Sequence, residues 1–497
     1  MCFYYALLIA KRLHGGAAGG SEGFFCGIFG YPLDYSRRRG YNYNVKNCLS
    51  GEVINRKVKK GQIKMAQSKV IVFSCDAMVY EDIEYLLETS PRFRELYKKG
   101  SIVKRTRTIW PSVTYPCHTS MSTGCYPDKH GVTNNSEFRP GQLKNVPWTW
   151  FADNIKCPDI FTAAKRAGLT TAAVFWPVTG CHPDIDYLVA EYWPQSPDDT
   201  KKAAFLRAGT SEELYDECCA PYLEDVKIRT HPATDEFLVR CVCDIIRKHQ
   251  PDLLMLHTGD VDSYRHGTGL FTEKVRGGVR DTERWLNEII DATKEAGVFE
   301  QTNFFLVSDH GQLEIVRNIK PNVVFADHGL ITTDAEGNLV DWTAYCHSTG
   351  LSAQIRLKDP DDREAWQKTY DLLKFMRDEG IYGISEVLTT EEAEEKEHLG
   401  GPFSFVIESD GYTSFSEDWK RPMVKPMDLS DYRFGRATHG HNPDKGPQPV
   451  FFGFGPDIRE GVEIERRPTV DEAPTYAKIL GAEMPWADGH AIDEMLK

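Results

Sequence analysis

No stretch of this 497-residue chain approaches the roughly 18 consecutive apolar residues that a bilayer-spanning helix needs. The sequence therefore predicts no membrane partner. Positive charge is scarce: 59 Lys and Arg stand against 73 Asp and Glu, a net charge of -14. Nucleic acid is thereby excluded as a main partner, because phosphate backbones are held by basic surfaces. An acidic chain that binds a small phosphorylated molecule needs a local cation, and a bound metal is the obvious source. The 13 cysteines include no CxxC pair and form no framework spacing, which leaves no zinc-ribbon pattern. Cys218 and Cys219 are adjacent, and Cys241 and Cys243 lie two apart. Reduced, mostly buried thiols and a cytoplasmic location are expected. A secretory signal is not expected either, since the short apolar stretch 3–10 is followed, not preceded, by its charges Lys11 and Arg12.

What is present is a large core. Apolar residues make up 41% and charged residues 27%, ordinary values for a globular protein, and the length allows two to four domains at roughly 150 residues each. Residues 1–64 stand apart, with 11 Lys and Arg against 3 Asp and Glu and with 10 Gly, leaving 48 against 70 charges in the rest. They show no helical or strand period. The character changes at Met65, which leads directly into an apolar strand. Residues 1–64 are thus expected to be a disordered extension or a mis-assigned start ahead of a folded protein beginning at Met65.

From Met65 onward, short apolar runs alternate with helical patterns. Strands are predicted at 70–74, 171–175, 253–256 and 303–307, with helices at 85–97, 158–167, 235–249 and 273–296. This alternation predicts an α/β fold with a mostly parallel sheet covered by helices on both faces. The rhythm breaks over 311–430, expected to be an inserted cap that holds an acidic helix at 390–398. The catalytic core is then 65–310 plus 431–497, with the strand 450–454 rejoining the sheet.

In such sheets ligands collect at the carboxyl ends of strands. Asp76 follows the first strand, Asp262 and His266 the third, and Asp309-His310-Gly311 the fourth; Thr438-His439-Gly440-His441 lies near the C-terminus. Any one of these is more often a helix cap or surface polarity, but four such groups at successive strand ends point to convergence. Histidine and carboxylate together suit zinc or a similar ion, and Asp262 and His266, spaced i, i+4, would face one ion from one helical turn. Asp327-His328-Gly329 repeats the triplet after an apolar run at 323–326, and strand-end logic alone does not separate the two. Thr114 stands just ahead of an expected helix that stops at Gly124; free amides there favour a phosphate, and metal coordination can activate its hydroxyl.

The stretch Pro111–Gly124, continuing through Tyr126-Pro127-Asp128-Lys129-His130-Gly131, resembles the nucleophile region of the nucleotide pyrophosphatase/phosphodiesterase family, a branch of the alkaline phosphatase superfamily. The resemblance extends in order through Asp262, His266, Asp309-His310 and His439 and spans about residues 68–460. It implies an alkaline-phosphatase-like three-layer core and two divalent ions, zinc above all, with manganese as the other candidate. One ion would be held by Asp76, Asp309 and His310 beside Thr114, the other by Asp262, His266 and His439. It also implies Thr114 as a nucleophile passing through a phospho-threonine, Asn135 as a donor to the phosphoryl oxygen, and Asp309-His310 in preference to Asp327-His328. His118 and His130 would be structural. Two cations about 4 Å apart would clamp a phosphoryl group.

Departures from the family bear on substrate. Tyr115 stands where nucleotide-cleaving members often carry Phe and is expected to stack a base, while His257 replaces a stacking Tyr and Cys117 an Asn. A lost stack costs about 1–3 kcal/mol. His441 is expected at the pocket rim, in contact with a bound phosphate. A phosphodiesterase or nucleotide pyrophosphatase is the leading expectation; a phosphomonoesterase or phosphonate hydrolase on the same scaffold, and a catalytically inactive metal-binding protein, are the alternatives. A sulfatase is excluded by the lack of Cys-x-Pro-x-Arg. The leaving group, the native metal and the oligomeric state are left open.

Overall fold

The computed structural model describes residues 68–425, 427–429 and 435–497. The expectations for residues 1–64, and for a boundary near 430–431, lie outside them. Strands β1 (Lys69–Cys75), β2 (Gly100–Arg107), β3 (Thr171–Val174), β4 (Tyr187–Val189), β5 (Leu253–Thr258) and β6 (Thr302–Val307) belong to one eight-stranded sheet. Between β6 and the last two strands of that sheet lies a four-stranded antiparallel sheet of β7 (Ala344–Ser348), β8 (Ser352–Leu357), β9 (Ile384–Thr389) and β10 (Phe405–Ser409). Strands β11 (Phe451–Phe454) and β12 (Val462–Pro468) complete the large sheet, whose order is β12-β2-β11-β6-β1-β5-β3-β4. All its pairings are parallel except the two made by β11.

The side-chain period of two explains why the central strands are apolar throughout. Ile71 and Phe73 of β1, Leu254 and Leu256 of β5, and Phe304 and Leu306 of β6 enter one core cluster. Their neighbours Val70, Val72, Leu253, Met255, Phe305 and Val307 enter another on the opposite face. Each strand is buried on both sides, so alternation is replaced by a continuous apolar run. The first face is covered by the helices Ala233–His249 and Glu273–Glu295, and the second by Thr114–Thr123, Ile160–Arg166 and Glu472–Leu480.

Three local readings differ from the sequence expectation. The helix predicted at 85–97 is two helices, Tyr80–Thr89 and Pro91–Lys98. Pro91 lacks the N–H that a continuing helix needs and sits where a helix starts, and the Ser90 hydroxyl accepts from the Phe93 N–H at 3.1 Å. The run 323–326 is not a strand but part of a helix, Pro321–Asp327. The stretch 311–430, read as polar turns around one helix, holds the antiparallel sheet, with a core of its own that includes Ile355, Phe405 and Ile407. Its strands carry Cys346, His347, Gln354 and Arg356 among apolar residues, which blurs the period.

Phe305 packs on Phe451 and Tyr476, with ring centroids 5.1 and 4.8 Å away. Phe305→Ala should therefore lower stability by about 3–5 kcal/mol, read as the shift in a guanidinium denaturation curve.

Candidate active site

The sheet order sets β6, β1 and β5 side by side, and all three run parallel. Their carboxyl ends therefore open on one edge, with Ser74 of β1 paired to both His257 and Val307. Asp76 leaves β1, Asp309 and His310 leave β6, and β5 feeds the helix Asp260–Thr268, which carries Asp262 and His266 one turn apart. The sixth residue, His439, comes from outside this sheet: it follows the two-residue strand Ala437–Thr438, which pairs with Leu313–Glu314. Gly440 makes that approach possible. It has φ +95°, and a Cβ there would lie 1.8 Å from the Thr349 carbonyl oxygen.

Two groups of potential metal ligands result. Asp76, Asp309 and His310 offer ligand atoms within 4.8 Å of one another, and so do Asp262, His266 and His439. In the first, His310 Nε2 is 3.1 Å from Asp309 Oδ2 and 3.5 Å from Asp76 Oδ1. In the second, His266 Nε2 is 3.2 Å and His439 Nε2 3.9 Å from Asp262 carboxylate oxygens. The His310 and His439 rings lie 4.2 Å apart between centroids, so the groups adjoin. His266 Nδ1 faces the Ala437 carbonyl at 2.7 Å; a proton on Nδ1 donates there and makes Nε2 the nitrogen that would take an ion.

The electrostatics fit cations. Burial pushes the Asp76 carboxyl up, and the charge of Asp262 adds to it; burial and then Asp76 push Asp309 up. Burial holds His310 and His439 neutral by pushing them down. Asp262 is also desolvated, but His266, His439 and Gln312 outweigh that and hold it below the usual carboxylate range. Asp76 Oδ1 and Asp309 Oδ2 are buried without a hydrogen-bond donor among the described residues. Buried carboxylates of this kind are costly unless a positive charge compensates them, and the mixed imidazole and carboxylate donors suit a divalent ion such as zinc.

Thr114 is the first residue of the helix Thr114–Thr123, and its Oγ1 lies 3.4 Å from His310 Nε2. Of the free amides expected at the first four positions, two are taken and one does not exist. The Tyr115 N–H donates to Asn135 Oδ1 at 2.8 Å, Pro116 has no N–H, and the Cys117 N–H bonds to the Val113 carbonyl. The Tyr115 bond instead orients Asn135, leaving the NH2 group of its amide as the donor. Thr114, Asn135, Asp76, Asp262, His266 and His439 all line one cavity of about 960 Å³.

Two substrate expectations are corrected. Tyr115 is fully buried, with its ring edge-on to Trp148 at 5.2 Å, so it presents no stacking face; Trp148 lines the cavity in its place. His441 is buried and lies off the cavity wall; burial pushes it down to about 3. Asp327 and His328 sit at a helix end, where Asp327 pairs with Arg421 at 2.6 Å, away from both ligand groups. The sequence pattern offers no sign of two supports of the site, His257 and Gln312, whereas His118 is expected to be structural. His257 Nε2 is 3.1 Å from Asp76 Oδ2, and Gln312 Nε2 donates to Asp262 Oδ1 at 2.5 Å. His118 spans Ser74 Oγ at 2.9 Å and the Thr114 carbonyl at 2.8 Å.

His439→Ala should lower the zinc bound at saturation from two ions per chain to one, whereas His441→Ala should keep both. Plasma mass spectrometry on the two purified variants reads the difference. Gly440→Ala should destabilise the fold by about 2–4 kcal/mol through backbone strain and overpacking, read by denaturation.

The chain matches the family model described as "Type I phosphodiesterase / nucleotide pyrophosphatase" over residues 70–427. It is 24% identical to human ectonucleotide pyrophosphatase/phosphodiesterase family member 1 over 48% of this chain and 23% of that protein. It is 21% identical to rat family member 7 over 89% of this chain and 88% of that protein. The chain thus spans about a quarter of the first of these relatives. Its fold is similar to murine ectonucleotide pyrophosphatase/phosphodiesterase 5, solved as an inactive variant in complex with AMP: TM-score 0.61, 20% identity, covering 87% of this chain and 100% of that one. The family-model match over most of the chain makes the chain a member of the type I phosphodiesterase/nucleotide pyrophosphatase family.

Proposed function

We propose that the chain is a two-metal hydrolase of phosphodiester or pyrophosphate bonds, with Thr114 as its nucleophile. The observation that carries this reading is the pair of adjoining ligand groups with a threonine hydroxyl 3.4 Å from one of their histidines, all on the wall of one cavity. Two divalent ions, zinc or manganese, held by Asp76, Asp309 and His310 and by Asp262, His266 and His439, would supply the charge that activates the Thr114 hydroxyl and stabilises phosphoryl oxygens.

The chain's own groups account for the rest. Thr114 Oγ1 gives up its proton to solvent and bonds to phosphorus as the bond to the leaving oxygen breaks, and that oxygen takes a proton from solvent as it departs as an alcohol or phosphate. Water then attacks phosphorus, releasing the phosphate product and restoring the Thr114 hydroxyl. The Asn135 amide, fixed by the Tyr115 N–H, donates to a phosphoryl oxygen whose charge grows in the transition state. His257 holds Asp76 in place, and His118, tied to the Thr114 carbonyl, holds the start of the helix. A nucleotide is the leading substrate class, since the murine neighbour was solved with AMP. The stretch 311–430 serves as the cap: Asn134 Nδ2 donates to the Ser348 carbonyl at 3.0 Å, and Gln354 Nε2 to the Thr133 carbonyl at 2.7 Å, so the antiparallel sheet fixes the loop that carries Asn135.

Thr114→Ala should reduce turnover by at least a thousandfold while keeping two ions per chain, and Thr114→Ser should retain measurable activity. A panel of bis-p-nitrophenyl phosphate, p-nitrophenyl phosphate and ATP with added zinc or manganese checks both substrate class and mechanism. Near-parent rates in Thr114→Ala would rule out the covalent route, and activity on p-nitrophenyl phosphate alone would make the protein a monoesterase.

A further inference from the structure

We propose that Arg229 is the recognition residue for a second oxyanion of the substrate, a phosphate or carboxylate group carried outside the two metal-ligand groups. This rests on the phosphohydrolase reading and adds to it the chemistry of the substrate's far end.

Arg229 lines the same cavity as Thr114 and both ligand groups. Its guanidinium carbon lies 5.0 Å from the centre of the Trp148 ring and 4.7 Å from that of Trp193. The two indoles are themselves 5.6 Å apart and nearly perpendicular, at 80°. Both indoles make cation–π contact with the guanidinium and fix its place on the wall. Its N–H donors lie around the edge, in a fork that matches the oxygens of a phosphate or carboxylate. No carboxylate among the described residues forms an ion pair with it. Lys144 and Lys227, on the same wall, form none either. The backbone adds a further sign of purpose. Arg229 has φ +66°, a strained conformation that non-glycine residues rarely adopt.

Of the acidic groups that line this cavity outside the two ligand groups, Asp235, Asp418 and Asp428 have partners of their own. Asp235 is bound to His231 Nδ1 at 2.6 Å and to the Gly259 N–H at 2.9 Å. Asp418 is bound to Lys320 at 2.6 Å. Glu191 is the carboxyl set between Arg229, His257 and Asp76, and burial pushes it up toward its neutral form, where it opposes an anion least. The wall is also tied to the reacting end. Trp148 is followed by Thr149, whose N–H donates to the Asn135 carbonyl at 2.9 Å. A substrate phosphoryl beside Thr114 and Asn135 would thus have a rigid cationic shelf on the same cavity wall. A pyrophosphate linkage or a carboxylated ester meets that demand, and a simple aryl diester does not.

The test is the specificity ratio of kcat/KM on the metal-loaded protein, with bis-p-nitrophenyl phosphate as the reference. ATP is the phosphate arm and carboxymethyl p-nitrophenyl phosphate the carboxylate arm. In Arg229→Gln, at least one ratio should fall tenfold or more, mainly through KM, and the arm that falls names the group bound. Arg229→Lys, which keeps the charge but loses the fork, should lie between. Both ratios unchanged within twofold would overturn the proposal. A parent protein without turnover on any of the three would count against the hydrolase reading instead. Arg229 is then judged by ATP binding to Thr114→Ala with and without Arg229→Gln, read by tryptophan fluorescence: tenfold weaker binding supports it, and equal binding overturns it.

Discussion

Three carboxylates and three imidazoles share a buried space at the carboxyl edge of three adjacent parallel strands, and the remainder of the site answers to that crowding. On top of burial, the charge of Asp262 raises the cost of ionising Asp76, and that of Asp76 the cost of ionising Asp309, while His310 and His439 are held neutral by the same burial. Left alone, Asp76 and Asp309 would favour their protonated, uncharged forms. Cations between the carboxylates reverse the sign of the problem, because the low dielectric that amplifies their repulsion also amplifies their attraction to a positive ion. The candidate chemistry and the candidate metal site are in this sense one constraint.

The scaffold meets the constraint with rigid elements. Two of the three strands deliver their acids directly, and a helix starting one residue beyond β5 delivers the third with His266 on its next turn. His439 has to arrive from another layer, and it does so at a glycine pressed against the Thr349 carbonyl. The antiparallel sheet contributes through hydrogen bonds to the loop 133–135 and not through ligands of its own. It also reaches the loop beyond His439, where buried Glu408 accepts from the Asn442 N–H at 3.0 Å and from Lys445 at 2.8 Å. Burial raises Glu408 to about 7, against the pull of Lys445.

Much of this was legible in the sequence, for an identifiable reason. Strands buried on both faces read as unbroken apolar runs, so β1, β5 and β6 and the residues at their ends could be found by position alone. The choice between Asp309-His310 and Asp327-His328 could not, since both follow apolar runs; a proline at the first turn of Pro321–Asp327 makes the second run a helix. Tyr115 and His441 show the opposite limit. Their place in the motif was right, but burial is decided by what packs over them: Trp148, 33 positions away, for the one, and the Ser112 hydroxyl, which donates to its carbonyl at 2.8 Å, for the other. The contacts His257–Asp76, His118–Ser74 and Gln312–Asp262 join residues 44 to 181 positions apart, and no local pattern announces them. Arg229 sits in an irregular stretch with neither period nor motif, so only its two indoles reveal it.

Two neighbouring ions should sit in the two ligand groups. Anomalous diffraction at the zinc edge, from crystals of the full chain grown with zinc, would locate them. Two peaks are expected, one among Asp76, Asp309 and His310 and one among Asp262, His266 and His439. A single peak, or strong peaks only elsewhere, would rule out the paired site.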